Sequence, residues 1–160
     1  MRVLGIDPGF DRTGWGVIED AGGRLTYIGC GCIQTSADDS YEKRLQAVRD
    51  GLAELIQAHK PDVVAIEQLF FQTNAKTAIK VGMARGVAVL AVADAGLPFV
   101  EPTPNQVKSG TTGQGNAEKS QVQEMVVRLL KLPSIPKPDD AADALAIAIV
   151  GGTLFRGPRA

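Results

Sequence analysis

The sequence predicts a single-domain α/β protein in which a five-stranded mixed sheet is flanked by helices. Three apolar stretches separated by turn signals fill roughly the first 35 residues and predict an antiparallel meander. Segments with helical periodicity then alternate with two further apolar stretches, which is typical of a layered sheet. With 160 residues the chain can bury a substantial core. We expect one domain over residues 1–154 and a frayed basic tail over 155–160.

The meander opens with "MRVLGID", whose nearly unbroken apolar run predicts a central strand. A Pro-Gly turn leads to a second strand near 14–18, and "AGGR" leads to a third, "LTYIGCGCIQT". The third strand carries Cys30 and Cys32, which we interpret as buried free thiols rather than half of a metal site. Free thiols, and an apolar strand that leaves no room for a signal peptide, predict a cytoplasmic protein.

Helices and strands alternate over the remainder of the chain. The segment "SADDS" offers N-cap residues for a first helix, whose apolar side chains recur at helical spacing from Leu45 to Ile56. The elements expected after it are the strand "PDVVAIEQ", a helix over about 75–95, the strand "LPFVEPT", a short helix around Gln106, the glycine-rich loop "SGTTGQGN", a helix near 122–130 and a last helix in "PDDAADALAIAIVGG". The apolar pattern leaves the order of the strands in the sheet open.

Four acidic residues follow or interrupt apolar segments. Asp7 ends the first strand and Glu67 ends the fourth, while Asp140 and Asp143 share one face of the last helix. A carboxylate without a partner in apolar surroundings is costly. If the first and fourth strands are parallel neighbours, all four carboxylates converge, and a hard cation such as Mg²⁺ would neutralise them. Taken singly, each acid could instead be a turn former or a surface residue.

Motifs across nearly the whole chain resemble the RuvC family of Holliday-junction resolvases. They are "GIDPGFDRTGWGV", "IEQLFF", "NAKTAIKVGMARGVAV", "QVKSGTTGQGNAEKSQVQEMV" and "DDAADALAIA", in that order. The resemblance implies a ribonuclease-H-like fold with strand order 3-2-1-4-5, which would make the strands of Asp7 and Glu67 neighbours. It also implies a homodimeric, Mg²⁺-dependent endonuclease that nicks two opposing strands of a four-way DNA junction in recombination and repair. The RuvA–RuvB branch-migration complex is the partner that the resemblance implies.

The resemblance assigns the catalytic, metal-binding role to Asp7, Glu67, Asp140 and Asp143. Asp139 does not fit the Asp-x-x-Asp spacing, and we interpret it as a neighbour. Two Mg²⁺ ions in each site, for which Mn²⁺ could substitute, would activate water and stabilise the leaving 3′ oxygen. The products would carry 5′-phosphate and 3′-hydroxyl ends.

Basic and aromatic residues near the acids are candidates for DNA contacts. Lys119, in the first turn of a helix, and Lys108 match lysines that the family uses at the scissile phosphate, and Lys119 is the expected catalytic lysine. Without the resemblance, both would be interpreted as solvated surface lysines. Phe70 matches an aromatic residue that contacts bases in the family. Core packing is the alternative for Phe70 or for Phe71, which has no assigned role.

The long helix after the fourth strand contains Gly82-x-x-x-Gly86, two small residues that permit close helix contact. The resemblance favours a dimer interface at these glycines. Packing of the helix on its own sheet is the alternative. The basic residues Lys76, Lys80 and Arg85 of the same helix are expected to flank a DNA-facing surface.

Three other classes of function are compatible with parts of the sequence. "GIDPGFDRTGWGV" also resembles the phosphate loop of actin-like ATPases and sugar kinases, but those proteins need two such domains. A non-catalytic junction-binding protein would not need four converging acids. A ribonuclease H that acts on RNA–DNA hybrids would have similar carboxylates with different accessory loops. The net charge of −1 excludes a globally basic nucleic-acid binder, so any DNA-binding charge must be local.

Overall fold

The structure is a computed structural model that describes residues 1–69 and 74–155. Phe70 and Phe71, and most of the predicted basic tail, therefore lie outside the described residues. The elements in chain order are β1 (Arg2–Asp7), β2 (Arg12–Ala21), β3 (Arg24–Gln34), α1 (Tyr41–His59), β4 (Val63–Ile66), α2 (Ala75–Asp94), β5 (Phe99–Val100), α3 (Pro104–Thr112), α4 (Lys119–Leu130) and α5 (Asp139–Leu154).

The five strands form one mixed sheet in the order β3-β2-β1-β4-β5, which confirms the predicted order. β1 pairs with β2 and β2 pairs with β3 in antiparallel fashion, whereas β1 with β4 and β4 with β5 are parallel. β1 and β4 are therefore neighbours that run in the same direction. Both of them end at the same edge of the sheet.

Helices cover both faces of the sheet, because side chains of the central strands alternate between two apolar layers. Val3 and Ala65 pack in a cluster with residues of α4 and α5. Leu4 and Val64 pack in a second cluster with residues of α1 and α2. The central strands are consequently apolar on both sides, as their unbroken hydrophobic runs predict.

Glycines of the sheet allow α5 to pack closely on β1 and β2. A Cβ atom at Gly5 would overlap the Ala144 carbonyl oxygen, and one at Gly14 would overlap the Asp140 carbonyl oxygen. A Cβ atom at Gly16 would lie 2.8 Å from the Leu145 backbone nitrogen. The first turns of α5 are thus brought next to the end of β1.

Two sequence-based expectations are wrong in detail. The helix α3 continues through Thr112, so the first four residues of the segment expected to be a glycine-rich loop are helical. A capping box between Thr103 and Gln106 begins this helix, and burial of Val107 and Thr111 stabilises it. Cys30 and Cys32 are free thiols, as expected, but they are only partly buried, because β3 is an edge strand.

A bilayer crossing needs a helix of sufficient length and apolar character. Among residues 1–69 and 74–155, no helix meets both requirements.

Candidate active site

The parallel pairing of β1 and β4 places Asp7 beside Glu67. Ile6 and Ile66 are register partners, and each acid is the residue that follows its isoleucine in the chain. The Glu67 backbone N–H donates to the Ile6 carbonyl oxygen at 3.3 Å, which extends the ladder to this point. Ile6 and Ile66 both pack in the α1–α2 layer, so by strand alternation both carboxylates face α5.

The helix α5 contributes Asp143 to the same place. Asp7, Glu67 and Asp143 line one cavity of about 240 Å³, together with Lys108 and Lys119. We call this space the acidic cavity. The sequence-based expectation that the strand ends meet the last helix therefore holds for three of the four acids.

Burial and mutual repulsion change the protonation of these acids. Burial, with Glu67 and then Asp143 as further causes, raises the pKa of Asp7 from 3.8 to about 8. Burial and the Asp143 charge raise the pKa of Glu67 to about 7. Burial also raises the pKa of Asp143, although Lys119 opposes this shift. Without a cation between them, these carboxylates do not all ionise readily near neutral pH.

Two lysines face the acids, as the sequence predicts. Lys119 is the first residue of α4, and its Nζ lies 2.9 Å from Asp143 Oδ2 and 3.9 Å from Asp139 Oδ2. The hydrogen bond with Asp143 raises the pKa of Lys119, so this side chain stays charged. Lys108 lines the cavity from α3, and its charge opposes the rise in the pKa of Glu67. Positive charge is thus local, as the net charge of the chain requires.

The fourth acid, Asp140, is turned toward a different partner. The Nε atom of Arg12, at the start of β2, lies 3.5 Å from Asp140 Oδ2, and Asp140 does not line the acidic cavity. Sequence analysis missed Arg12. The available signal was its place at the start of the strand that pairs with β1, where Gly14 is the partner of Asp7. Asp139 Oδ1 lies 3.2 Å from Lys137 Nζ, and Asp139 does not line the acidic cavity.

The acids fit a hard divalent cation by their chemistry. They are partly buried carboxylates that repel one another, and oxygen donors of this kind suit Mg²⁺ or Mn²⁺. Among the described residues, however, no three His, Cys, Asp or Glu side chains are already arranged to hold one metal ion. Two of the acids are paired with cations instead, Asp140 with Arg12 and Asp143 with Lys119.

The three basic residues of α2 have different surroundings. Lys76 is exposed at the start of the helix. The Nζ atom of Lys80 lies 5.6 Å from the ring centroids of both Phe10 and Tyr41. Arg85 is engaged within the molecule, because it contacts the Glu67 carbonyl oxygen and the Glu101 carboxylate.

The glycines of α2 do not pack on the sheet. A Cβ atom at Gly82 or Gly86 would have no described atom within 4 Å, whereas residues such as Ala84 and Ala88 are buried against the core. Large apolar side chains share the open face: Ile79 is 60% exposed, Met83 41% and Leu90 57%. We call this surface the α2 stripe. The alternative that these glycines serve packing on the sheet is therefore wrong.

A ribonuclease-H-like sheet with carboxylates where β1 and β4 end, and with lysines beside them, is typical of nucleases that hydrolyse phosphodiesters. The family described as crossover junction endodeoxyribonuclease RuvC matches residues 3–151. The chain belongs to this RuvC family, and it is a divalent-metal-dependent endodeoxyribonuclease. The predicted family, fold and class of enzyme are confirmed.

Relatives and solved structures agree over most of the chain. The crossover junction endodeoxyribonuclease RuvC of Pelotomaculum thermopropionicum is 50% identical over 93% of this chain and 91% of its own. The structure of Thermus thermophilus RuvC in complex with Holliday junction substrate is 34% identical, with a TM-score of 0.89 over 94% of this chain and 92% of that chain. A yeast mitochondrial Holliday junction resolvase, 16% identical with a TM-score of 0.64 over 92% of this chain and 77% of that chain, shares the fold.

Proposed function

We propose that the protein resolves four-way DNA junctions by paired, symmetric cuts in two opposing strands. Asp7, Glu67, Asp140 and Asp143 are the residues that would hold two Mg²⁺ ions in each subunit. The observation that carries the proposal is the acidic cavity itself: three of the acids and two lysines meet in it. Support also comes from the 34% identical Thermus relative of the same fold, which is described in complex with a Holliday junction substrate.

The lysines of the cavity have a distinct task from the acids. Bound divalent ions would supply activation of the attacking water and charge stabilisation of the leaving 3′ oxygen. Lys119, the first residue of α4, is placed where a phosphate group would meet both its ammonium and the positive end of the helix dipole. The Lys119 ammonium pairs with Asp143 until a phosphate competes for it. Lys108 adds a second positive charge on the α3 side.

Cutting two opposing strands requires two sites related by symmetry. The α2 stripe supports a homodimer, because it combines exposed apolar side chains with glycines that leave room for a second helix. Lys76 and Lys80 on the same helix would extend the DNA-facing surface. The proposed contact of Phe70 with DNA bases rests only on the sequence resemblance.

A direct test offers labelled substrates to the wild-type protein, with Mg²⁺ and with a chelator. We expect paired nicks at symmetric positions of a four-way junction that leave 5′-phosphate ends, and little cutting of a duplex of the same sequence. No cutting is expected in the chelator. Cleavage of an RNA–DNA hybrid would favour a ribonuclease H, ATP hydrolysis would favour the kinase-like alternative, and tight junction binding without cleavage would favour a non-catalytic binder.

A further inference from the structure

Arg85 uses its guanidinium within the molecule rather than at the surface. Its side chain is 20% exposed. The Nε–H group donates to the Glu67 backbone carbonyl oxygen at 3.3 Å, and one terminal nitrogen forms an ion pair with the Glu101 carboxylate. A planar guanidinium can bond two acceptors in fixed directions at once, which the point charge of a lysine cannot do. The three residues therefore form a defined unit, which we call the Glu67 clamp.

The clamp acts on a part of the chain where regular strand pairing stops. β4 ends at Ile66, so Glu67 lies one residue beyond the strand. The Glu67 N–H still bonds to β1, and the Gln68 N–H donates to the Pro102 carbonyl oxygen at 2.9 Å. Arg85 ties the Glu67 carbonyl to α2 in addition. Peptide groups on both sides of the Glu67 Cα are thus fixed, and this sets the direction in which the side chain leaves the backbone toward the acidic cavity.

The charges of the clamp argue against a DNA contact by Arg85. The guanidinium is already paired with the Glu101 carboxylate, which is more exposed than its partner. A phosphate would meet the negative charge of Glu101 beside the positive charge of Arg85. The pair offers DNA little net attraction, in contrast to the exposed Lys76 of the same helix.

We propose that Arg85 is a positioning residue for Glu67, held in place by Glu101, and that it is not a DNA-binding residue. This inference rests on the proposed role of Glu67 in the acidic cavity. Loss of the clamp would leave the Glu67 carboxylate present but free to move. Since small displacements of a reacting constellation are costly in rate, cleavage would suffer more than junction binding.

The experiment compares Arg85→Gln, Arg85→Lys and Glu101→Gln in single-turnover cleavage and in junction binding at several salt concentrations. We expect each variant to slow cleavage by about tenfold or more. We expect the junction Kd and its salt dependence to change less than about twofold. The double variant Arg85→Gln/Glu101→Gln should be no slower than either single one, because the three residues act as a unit. Arg49→Gln, which breaks an exposed ion pair with Asp50, is the matched control and should match wild type.

The change in junction affinity caused by Glu101→Gln distinguishes the two roles of Arg85. If Arg85 contacts phosphate, removing the competing acid should tighten junction binding, and Arg85→Gln should lower the salt slope by about one. Either result, or normal cleavage by Arg85→Gln, overturns the proposal. If Arg85→Gln fails to fold, Glu101→Gln alone still separates the two roles. Absence of junction cleavage by the wild type would instead contradict the proposed function.

Discussion

At the scale of single residues, the candidate site is a cluster of acids held by cations. Asp143 pairs with Lys119, and Asp140 pairs with Arg12. The pKa of Asp7 is raised to about 8, mainly because the side chain is buried and also because Glu67, Asp143 and Asp140 repel its charge. The clustered carboxylates would therefore be stabilised by a divalent cation, while the Lys119 ammonium would bind a phosphate.

Lys119 should affect chemistry much more than affinity. Lys119→Ala removes one phosphate contact of many, so junction binding should weaken by no more than about threefold. Cleavage should slow by about a hundredfold, because charge that develops in the transition state loses a placed cation. Binding and single-turnover cleavage measured on the same junction check this difference. Equal losses in both would make Lys119 a general binding residue.

Asp7 should make the metal-free protein less stable as the pH rises. Its pKa is raised to about 8, so the folded state holds a proton that the unfolded state has released above about pH 4. This stabilisation is complete below the unfolded pKa and is lost as the pH rises toward about 8. In a chelator, we expect the Tm to fall between pH 6 and pH 8.5, and Mg²⁺ to restore it by mass action.

The Asp7→Asn variant isolates this effect. At pH 8 without metal it should melt several degrees above wild type, since about 1 kcal/mol corresponds to a shift of roughly 2–4 °C at this chain length. It should also respond less to Mg²⁺. Asp50→Asn, at an exposed ion pair, is the control and should follow wild type. Identical pH profiles for wild type and Asp7→Asn would contradict the raised pKa.

The sequence predicts those residues of the site whose position follows from the apolar pattern of a strand or a helix. Apolar patterning places Asp7 and Glu67 at strand ends, and helical spacing places Asp143 on one face of the last helix. The strand order that brings them together comes from the resemblance to the RuvC family. Arg12 and Arg85 could not be assigned in this way. Their guanidinium groups pair with residues that are distant in sequence. A sequence pattern predicts where the backbone of an arginine lies, but it does not predict which partner the guanidinium contacts.

At the scale of elements, the packing of α5 on the sheet positions the site. The buried alanines at the start of the helix, such as Ala141 and Ala144, permit this close approach. The structure adds the glycines of the facing strands, whose missing side chains make room for the helix backbone. The role of these glycines could not be predicted from the sequence, because a glycine inside a strand can equally indicate a bulge or a bend. The extent of α3 was hidden for a similar reason, since "SGTTG" has the composition of a loop.

Gly14→Ala should disturb both stability and activity. The added Cβ would overlap the Asp140 carbonyl oxygen, so α5 must shift. Overpacking of this kind costs about 1–3 kcal/mol. We expect a lower Tm together with a loss of cleavage, because the shift displaces Asp140. Gly115→Ala is the control, since nothing lies within 4 Å of a Cβ at that position. A Gly14→Ala variant with wild-type Tm and cleavage would contradict the close packing.

At the scale of the whole molecule, the proposed homodimer would use the α2 stripe. Sequence spacing marks Gly82 and Gly86 only as small residues that permit close helix contact, and the fold distinguishes the open face of α2 from the face that packs on the core.

Charged substitutions in the stripe should separate the subunits. Ile79→Glu and Leu90→Glu each place a carboxylate on an exposed apolar surface, so the fold should be kept while the dimer weakens by about tenfold or more. Analytical ultracentrifugation checks the oligomeric state, and junction assays should show uncoupled single nicks. Tyr41→Glu, at an exposed aromatic residue of α1, is the control. Unchanged dimerisation in both stripe variants would contradict the assignment.

The most direct test of the account compares junction binding and cleavage by four amide variants with a neighbouring control. Asp7→Asn, Glu67→Gln, Asp140→Asn and Asp143→Asn keep the size of each side chain and remove the charge that would hold the metal. Each variant should bind a four-way junction at least as tightly as wild type and lose nearly all cleavage. Asp139→Asn should stay active, because Asp139 pairs with Lys137 at 3.2 Å and lies 3.9 Å from Lys119, which is bound more closely by Asp143 at 2.9 Å. Near-normal cleavage by any of the four, or equal loss in Asp139→Asn, would contradict the assignment of these acids as the catalytic, metal-holding set.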